Sequence, residues 1–229
     1  MTSPDLVIFD CDGVLVDSEI VAARVEADLL TEAGYPISAA EIAETYAGLT
    51  FRDIMLRIEE KANIPFQASL IGQAEALVSR KLASDVRAIE GAHEAAASVT
   101  GKKCICSNST SERIDMMLTK TGLKRHFNGN IFSSLDKEVG KPKPAPDVFL
   151  HAAKVMGVDP ESAFVIEDSV HGIHGARRAG MRVIGFTGAS HTYPGHADAL
   201  TDAGAETVIR RWADLKNTLA ALSAWSADA

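Results

Sequence analysis

Two carboxylates stand one residue apart directly after the first apolar run of the chain. Residues 6–9 are uninterrupted and apolar, which is typical of a strand buried on both faces of a sheet. Asp10 and Asp12 follow, and then Gly13. Open α/β sheets bind their ligands at the carboxyl ends of the strands. Two acids at such a place repel each other and resist desolvation, so a divalent cation is the simplest counter-charge.

A second acid pair follows a later apolar run. Glu167 and Asp168 come directly after residues 163–166. Together with Asp10 and Asp12 they could complete a cation site built only from oxygen atoms, which Mg²⁺ accepts while it keeps several waters. The alternative is a solvated acid pair at the start of the next helix. The combination with the first acid pair favours the cation site.

Two further segments carry groups that suit an anion. Ser107 and Asn108 open a turn rich in hydroxyl and amide groups at the end of a predicted strand. Such a turn can offer donors to an anion, although serine and asparagine also favour ordinary helix N-caps. The loop at 140–147 alternates prolines with Lys141 and Lys143. A rigid loop can direct an ammonium group at a phosphate, whereas most lysines remain solvated.

The elements that must position these groups alternate from residue 90 onward. Strands are predicted at 102–107, 130–133, 163–166, 181–186 and 207–209, with helices between them. This alternation predicts the α/β class, with a Rossmann-like parallel sheet that includes residues 6–9 and carries helices on both faces.

The segment between the first strand and this region has a different pattern. Residues 17–85 contain predicted helices at 18–33, 39–47, 51–62 and 67–85, and no convincing strand. We therefore expect a core made of residues 1–16 and 86–229, and an inserted helical-bundle cap domain at 17–85.

Composition limits the possible partners. The chain has 229 residues, of which 46% are hydrophobic, enough for one core with a smaller insertion. Its net charge of −8 argues against a nucleic-acid surface. No apolar run is long enough to span a bilayer, and no signal peptide is evident. Three cysteines without CxxC spacing predict reduced thiols and a cytoplasmic protein. The oligomeric state has no signature in the sequence.

The order of these segments is similar to that of a known family. Asp10-Cys11-Asp12-Gly13, then Ser107, Lys143 and Glu167-Asp168 resemble the four motifs of the haloacid dehalogenase-like hydrolase superfamily. The resemblance covers nearly the whole chain, including the helical insertion. Within the superfamily, the chain is similar to the branch of helical-cap phosphatases and β-phosphoglucomutase-like proteins.

The resemblance implies roles for the acids. Asp10 would attack phosphorus and become an aspartyl phosphate, and Asp12 would protonate the leaving oxygen and then activate water. Mg²⁺ would be the cofactor, held by Asp10, the Asp12 backbone carbonyl and Asp168. Glu167 would assist directly or through a water molecule.

The resemblance also implies phosphate and substrate contacts. Ser107, the Asn108 amide and Lys143 would bind the transferring phosphoryl oxygens, with Lys143 favoured over Lys141. Arg52 matches a cap arginine that contacts the substrate in β-phosphoglucomutase-like relatives, and its alternative interpretation is an ordinary helix-surface arginine.

Four functions are open at this point. The first is a Mg²⁺-dependent phosphatase of a small phosphorylated metabolite, with a sugar phosphate as the first candidate. The second is a phosphosugar mutase, disfavoured because Ala22 stands where the mutase relative has a histidine. A 2-haloacid dehalogenase would need neither Asp12 nor the second acid pair. A non-catalytic phosphometabolite sensor is the alternative from another class.

Overall fold

A computed structural model describes residues 4–46, 49–62 and 65–225. Six strands and ten α-helices are defined in these residues. The strands are β1 (Leu6–Phe9), β2 (Lys102–Ser107), β3 (Ile131–Ser133), β4 (Ala163–Glu167), β5 (Arg182–Phe186) and β6 (Thr207–Ile209). The helices are α1 (Glu19–Glu32), α2 (Ala39–Thr45), α3 (Phe51–Ala62), α4 (Ser69–Asp85), α5 (Ala92–Ser98), α6 (Ser111–Thr121), α7 (Asp147–Met156), α8 (Val170–Arg178), α9 (His196–Asp202) and α10 (Leu215–Trp225).

The strands form one parallel sheet in the order β3-β2-β1-β4-β5-β6. The predicted fold class, a Rossmann-like parallel sheet, is therefore confirmed. The chain runs outward from β1 in both directions, so β1 lies at the point where the strand order reverses. This switch point is where open α/β sheets form their ligand crevice.

The uninterrupted apolar sequence of β1 reflects burial on both faces. Val7 and Phe9 pack into one core with α5, α6 and α10, whereas Leu6 and Ile8 pack into the other with α7, α8 and α9. Alternation along a strand places successive side chains on opposite faces. Since helices cover both faces, β1 has no solvated side and no polar alternation.

Within the described residues, the segment between β1 and α5 contains helices and no strand. Helices α1–α4 occupy it, and three of them share a small core of their own. That core consists of Ala23, Ala27, Leu30, Ile42, Tyr46, Ile54, Met55 and Ile58. Helix α2 ends at Thr45 rather than at 47, and residue 47 lies outside the described residues.

The chain leaves and re-enters the sheet region at one place. The Asp17 N–H donates to the Arg87 carbonyl at 2.9 Å, and Val16 pairs with Ala88 in an antiparallel bridge. These contacts hold the two connecting segments side by side, close to the predicted boundaries at 16/17 and 85/86. Among the described helices, none is both long and apolar enough to cross a membrane.

Candidate active site at the switch point

Strand register brings the first acid pair to the centre of the sheet edge. Phe9, the last residue of β1, lies opposite Ile105 of β2 and Ile166 of β4. The Asp10 N–H donates to the Ile166 carbonyl at 3.0 Å, extending the ladder by one residue. The carboxyl ends of three neighbouring strands therefore meet at Asp10.

Lys143 lies buried between two of the acids. Its Nζ donates to Asp10 Oδ1 at 2.5 Å, to Glu167 Oε1 at 2.6 Å and to the Cys106 carbonyl at 2.8 Å. Lys141, in contrast, is exposed, and its backbone N–H donates to Asp147 Oδ1. Of the two lysines in this loop, the structure places Lys143 in the cluster.

The charges of this cluster are strongly coupled. Burial lowers the pKa of Lys143, but the carboxylates of Asp10 and Glu167 outweigh burial and the net shift is upward. Burial raises the pKa of Asp10, and the Lys143 ammonium acts against that rise. One ammonium thus faces an excess of buried carboxylate, an arrangement that favours a further cation.

Three acids provide a donor set that fits such a cation. Asp10, Glu167 and Asp168 are all buried, and each offers an oxygen atom within 4.8 Å of the others. An all-oxygen set suits Mg²⁺. Glu167 is already well bonded, because its Oε2 accepts from the backbone N–H of Ser169 at 3.2 Å and from its Oγ at 3.0 Å. The Asp12 carboxyl does not belong to this group.

The Asp12 carboxyl is surrounded by hydroxyl groups instead. Ser18 Oγ donates to its Oδ1 at 2.7 Å, and Ser109 Oγ and Ser107 Oγ donate to its Oδ2 at 2.8 and 3.2 Å. Arg113 Nη2 lies 3.9 Å from Oδ1. The sequence did not single out Ser18, Ser109 or Arg113, although Ser18 follows the first motif closely and Ser109 lies in the predicted turn.

Asn108 ties the β2 turn to the lysine loop. Its Oδ1 accepts from the Lys143 backbone N–H at 2.9 Å and from Ser134 Oγ at 2.7 Å, and its Nδ2 donates to the Lys143 carbonyl at 3.2 Å. The side chain of Asn108 thereby positions the backbone of Lys143. Its predicted contact with phosphate involves the amide and stays a prediction.

Gly13 has a steric reason to be glycine. Its φ is +71°, and a Cβ there would lie 2.0 Å from Asp168 Oδ2 and 2.7 Å from His191 Cε1. The left-handed conformation favours glycine, and the short approach excludes any side chain. Gly13 therefore lets the first motif pack against the second acid pair.

The loop after β5 and the start of α9 bring two histidines, His191 and His196, that the sequence did not single out. His191 Nε2 lies 3.0 Å from Asp168 Oδ2, and His196 Nε2 lies 2.7 Å from the Asp168 carbonyl. Burial lowers the pKa of His191, but its hydrogen bond to Asp168 and the charge of that residue outweigh burial, so the net shift is upward. No motif marks this loop, because its approach to Asp168 depends on where β5 ends.

A cavity of about 920 Å³ joins this cluster to the helical segment. Asp10, Asp12, Ser107, Lys143 and Asp168 line it on the sheet side. Helices α1–α4 supply the other side, including Arg52 at the start of α3. The volume is within the range of small-molecule sites. The structure thus brings every predicted site residue to the lining of one cleft.

The fold and this cleft define an α/β protein with a ligand site at the switch point of its sheet. Comparison with known proteins identifies the family. The sequence model of the haloacid dehalogenase-like hydrolase family matches residues 7–186. The chain belongs to that family and is an enzyme of it. The resemblance expected from the sequence is confirmed.

Individual relatives support this assignment. The 6-phosphogluconate phosphatase of Escherichia coli K12 is 30% identical over 197 residues, which are 85% of this chain and 87% of the relative. A haloacid dehalogenase-like protein of unknown function from Agrobacterium tumefaciens C58 is 59% identical. Its structure superposes with a TM-score of 0.92, covering 96% of this chain and 99% of that one.

A second solved structure is a family hydrolase from Deinococcus radiodurans R1, determined with bound phosphate and sodium. It is 32% identical with a TM-score of 0.84, and the match covers 96% of each chain.

Proposed function

We propose that this enzyme is a Mg²⁺-dependent phosphatase of a small phosphorylated metabolite, with a sugar phosphate as the first candidate. The observation that carries the proposal is the buried cluster of Asp10, Lys143, Glu167 and Asp168 at the end of the cleft. The E. coli relative named for phosphatase activity and the Deinococcus relative with bound phosphate support it.

Asp10 is the nucleophile of the proposed reaction. It lies at the centre of the sheet edge with one oxygen held by Lys143, which leaves its other oxygen to attack phosphorus and form an aspartyl phosphate. Lys143 also provides a positive charge for the phosphoryl oxygens, with Ser107 and the Asn108 amide as donors beside it.

Asp12 is the proposed acid and base. It protonates the leaving oxygen, and the resulting carboxylate then takes a proton from the water that hydrolyses the aspartyl phosphate. Ser18 and Ser109 hold its carboxyl through hydrogen bonds of 2.7 and 2.8 Å. Asp12 is therefore positioned independently of the buried acids.

Asp10, Asp168 and the Asp12 backbone carbonyl would hold Mg²⁺, with Glu167 assisting directly or through water. When bound, the ion neutralises charge between the carboxylate and the phosphate and so permits their approach. Glu167 has a second task in this arrangement, because it accepts from Lys143 at 2.6 Å and keeps that ammonium in place.

The helical segment at 17–85 is proposed as a cap domain over a core made of residues 1–16 and 86–229. Its helices line the cleft together with the acid cluster, so their side chains, including Arg52, contact the leaving group. We also propose a cytoplasmic location, consistent with the three free, buried cysteines.

The mutase alternative has less support. Ala22 lies in the cleft lining on α1, where the resemblance would require a histidine, and its methyl group cannot transfer a proton. A sensor without turnover would not need a nucleophile, a lysine and a metal-binding acid in one buried cluster. A dehalogenase would not need Asp12 and Asp168.

The decisive test uses Asp10→Asn with an aryl phosphate and a panel of sugar phosphates in the presence of Mg²⁺. We expect wild type to release inorganic phosphate and to accumulate an aspartyl phosphate that borohydride reduction traps at residue 10. The variant should lose both while keeping its circular dichroism spectrum. Hydrolysis by the variant at the wild-type rate would contradict the proposal, and conversion of a hexose 1-phosphate into the 6-phosphate would favour the mutase.

A further inference from the structure

One face of α1 forms part of the cleft lining with an unusual combination of residues. Glu19, Ala22, Ala23 and Glu26 all line the cavity. The two glutamates are seven residues apart, which corresponds to two helical turns and about 10 Å along the axis. The alanines between them occupy little volume. This face therefore presents two carboxyl groups separated by small side chains.

Neither carboxyl is hydrogen-bonded within the described part of the chain, and Glu19 is exposed to solvent, with His191 and Arg113 acting on it through their charges. No hydrogen bond or ion pair joins Glu19 or Glu26 to another described residue. Desolvation in the cleft, with a smaller effect of the Glu19 carboxylate, raises the pKa of Glu26 to about 7. Near neutral pH such a group exists in both forms, and so it can accept or donate a hydrogen bond. A carboxyl that is not bonded within the chain can bond to the hydroxyl groups of a bound molecule.

The charge of the cleft disfavours a second anionic group. Among the described lining residues, seven carry carboxyl groups and three are lysine or arginine. Lys143 is held by Asp10 and Glu167, and Arg113 lies beside Asp12. Arg52 is the remaining one of the three, and it shares the cap side of the cleft with Glu19, Glu26 and Glu75.

We propose that Glu19 and Glu26 select the leaving group: an uncharged, polyhydroxylated carbon chain whose hydroxyl groups bond to the two carboxyls, in preference to one that carries a second phosphate. This inference rests on the proposed phosphatase function. The two-turn separation suits an extended chain lying along the alanines. A second phosphate would face the same carboxyls, and the juxtaposition of like charges disfavours binding.

The test compares kcat/KM for two phosphates that share a six-carbon skeleton: a hexitol 6-phosphate and a hexose bisphosphate. Wild type should prefer the hexitol phosphate. Glu26→Gln and Glu19→Gln each replace an ionisable carboxyl with a neutral amide, and each should lower the ratio of kcat/KM for hexitol phosphate to that for bisphosphate by about tenfold. The matched control is Glu32→Gln, which alters an exposed glutamate on the same helix outside the cleft lining and should leave the ratio unchanged.

Activity on an aryl phosphate distinguishes failure of the phosphatase function from failure of the selectivity. If wild type hydrolyses neither the aryl phosphate nor either of the two substrates, the proposed phosphatase function fails, and the selectivity with it. If the aryl phosphate is hydrolysed but wild type prefers the bisphosphate, the selectivity is overturned while the phosphatase function stands. The selectivity is overturned in the same way if both cleft variants keep the substrate ratio of the Glu32→Gln control.

Discussion

Lys143 illustrates what a single residue contributes to this cleft. A buried ammonium is costly unless it is paired, and here it donates to two carboxylates and one carbonyl. It neutralises part of the repulsion between Asp10 and Glu167 while remaining close to the nucleophile. The same contacts thus stabilise the folded chain and position a charge for phosphate.

We predict that Lys143→Ala lowers kcat/KM for an aryl phosphate by about 100-fold or more, the typical effect of removing a charge-stabilising donor. It should also lower the free energy of unfolding by about 3 kcal/mol, because two buried carboxylates lose their partner. Steady-state kinetics and urea denaturation measure the two effects. Lys141→Ala, which removes an exposed side chain from the same loop, should change stability by no more than about 0.5 kcal/mol. Equal effects of the two substitutions would contradict the assignment.

At the scale of the element, α1 combines core packing with an exposed face in the cleft. Its apolar residues join two separate cores, with Val21, Val25 and Leu29 in one and Ala27 and Leu30 in the other. The cleft face instead carries the unpaired Glu19 and Glu26. Such a face lowers stability and is typical of residues that serve binding.

The pKa of Glu26, raised to about 7 from its ordinary value of 4.5, predicts a pH-dependent stability. Between these two pH values the folded chain binds more protons than the unfolded chain. The stability that the protonated Glu26 carboxyl contributes is therefore fully present below pH 4.5 and is lost as pH rises through 7. Glu26→Gln should therefore raise the free energy of unfolding by about 1–3 kcal/mol at about pH 8 and by almost nothing near pH 4. Chemical denaturation at both pH values measures this, with Glu32→Gln as the control. A gain of equal size at both pH values would show that desolvation of the Glu26 carboxylate is not its cause.

At the scale of the whole molecule, the acid cluster joins distant parts of the chain. Asp10 follows β1, Glu167 ends β4, and Asp168 contacts His191 from the loop after β5. A cation bound by Asp10 and Asp168 would therefore bind the folded state alone, since the unfolded chain does not bring these acids together. Such binding stabilises the fold by mass action.

We predict that Mg²⁺ at about 100 times its dissociation constant stabilises wild type by about 2.7 kcal/mol, which should raise the melting temperature by several degrees. Asp168→Ala should abolish this Mg²⁺-dependent shift, as measured by calorimetry with and without the ion. Asp202→Ala, at an exposed position at the end of α9, should keep it. A full shift in Asp168→Ala would remove Asp168 from the proposed metal site.

Local sequence was sufficient for the sheet and for the acids at its edge. Short apolar runs followed by acids, with helices between them, predict parallel strands, and parallel strands end at one edge. The meeting of Asp10 and Asp168 therefore follows from the order of the segments along the chain. The helical composition of the segment 17–85 was predictable for a similar reason, since helical periodicity is a local property.

Tertiary structure alone decided which side chains surround those acids. The hydroxyl groups around Asp12, the contact of His191 with Asp168 and the cleft face of α1 join residues whose separation follows no sequence period. Each depends on the paths of loops and on the placement of α1–α4 over the sheet edge, which are properties of packing. The sequence by itself therefore determined the fold and the acids of the proposed chemistry, whereas the three-dimensional packing decided the shape and charge of the space in which a substrate would bind.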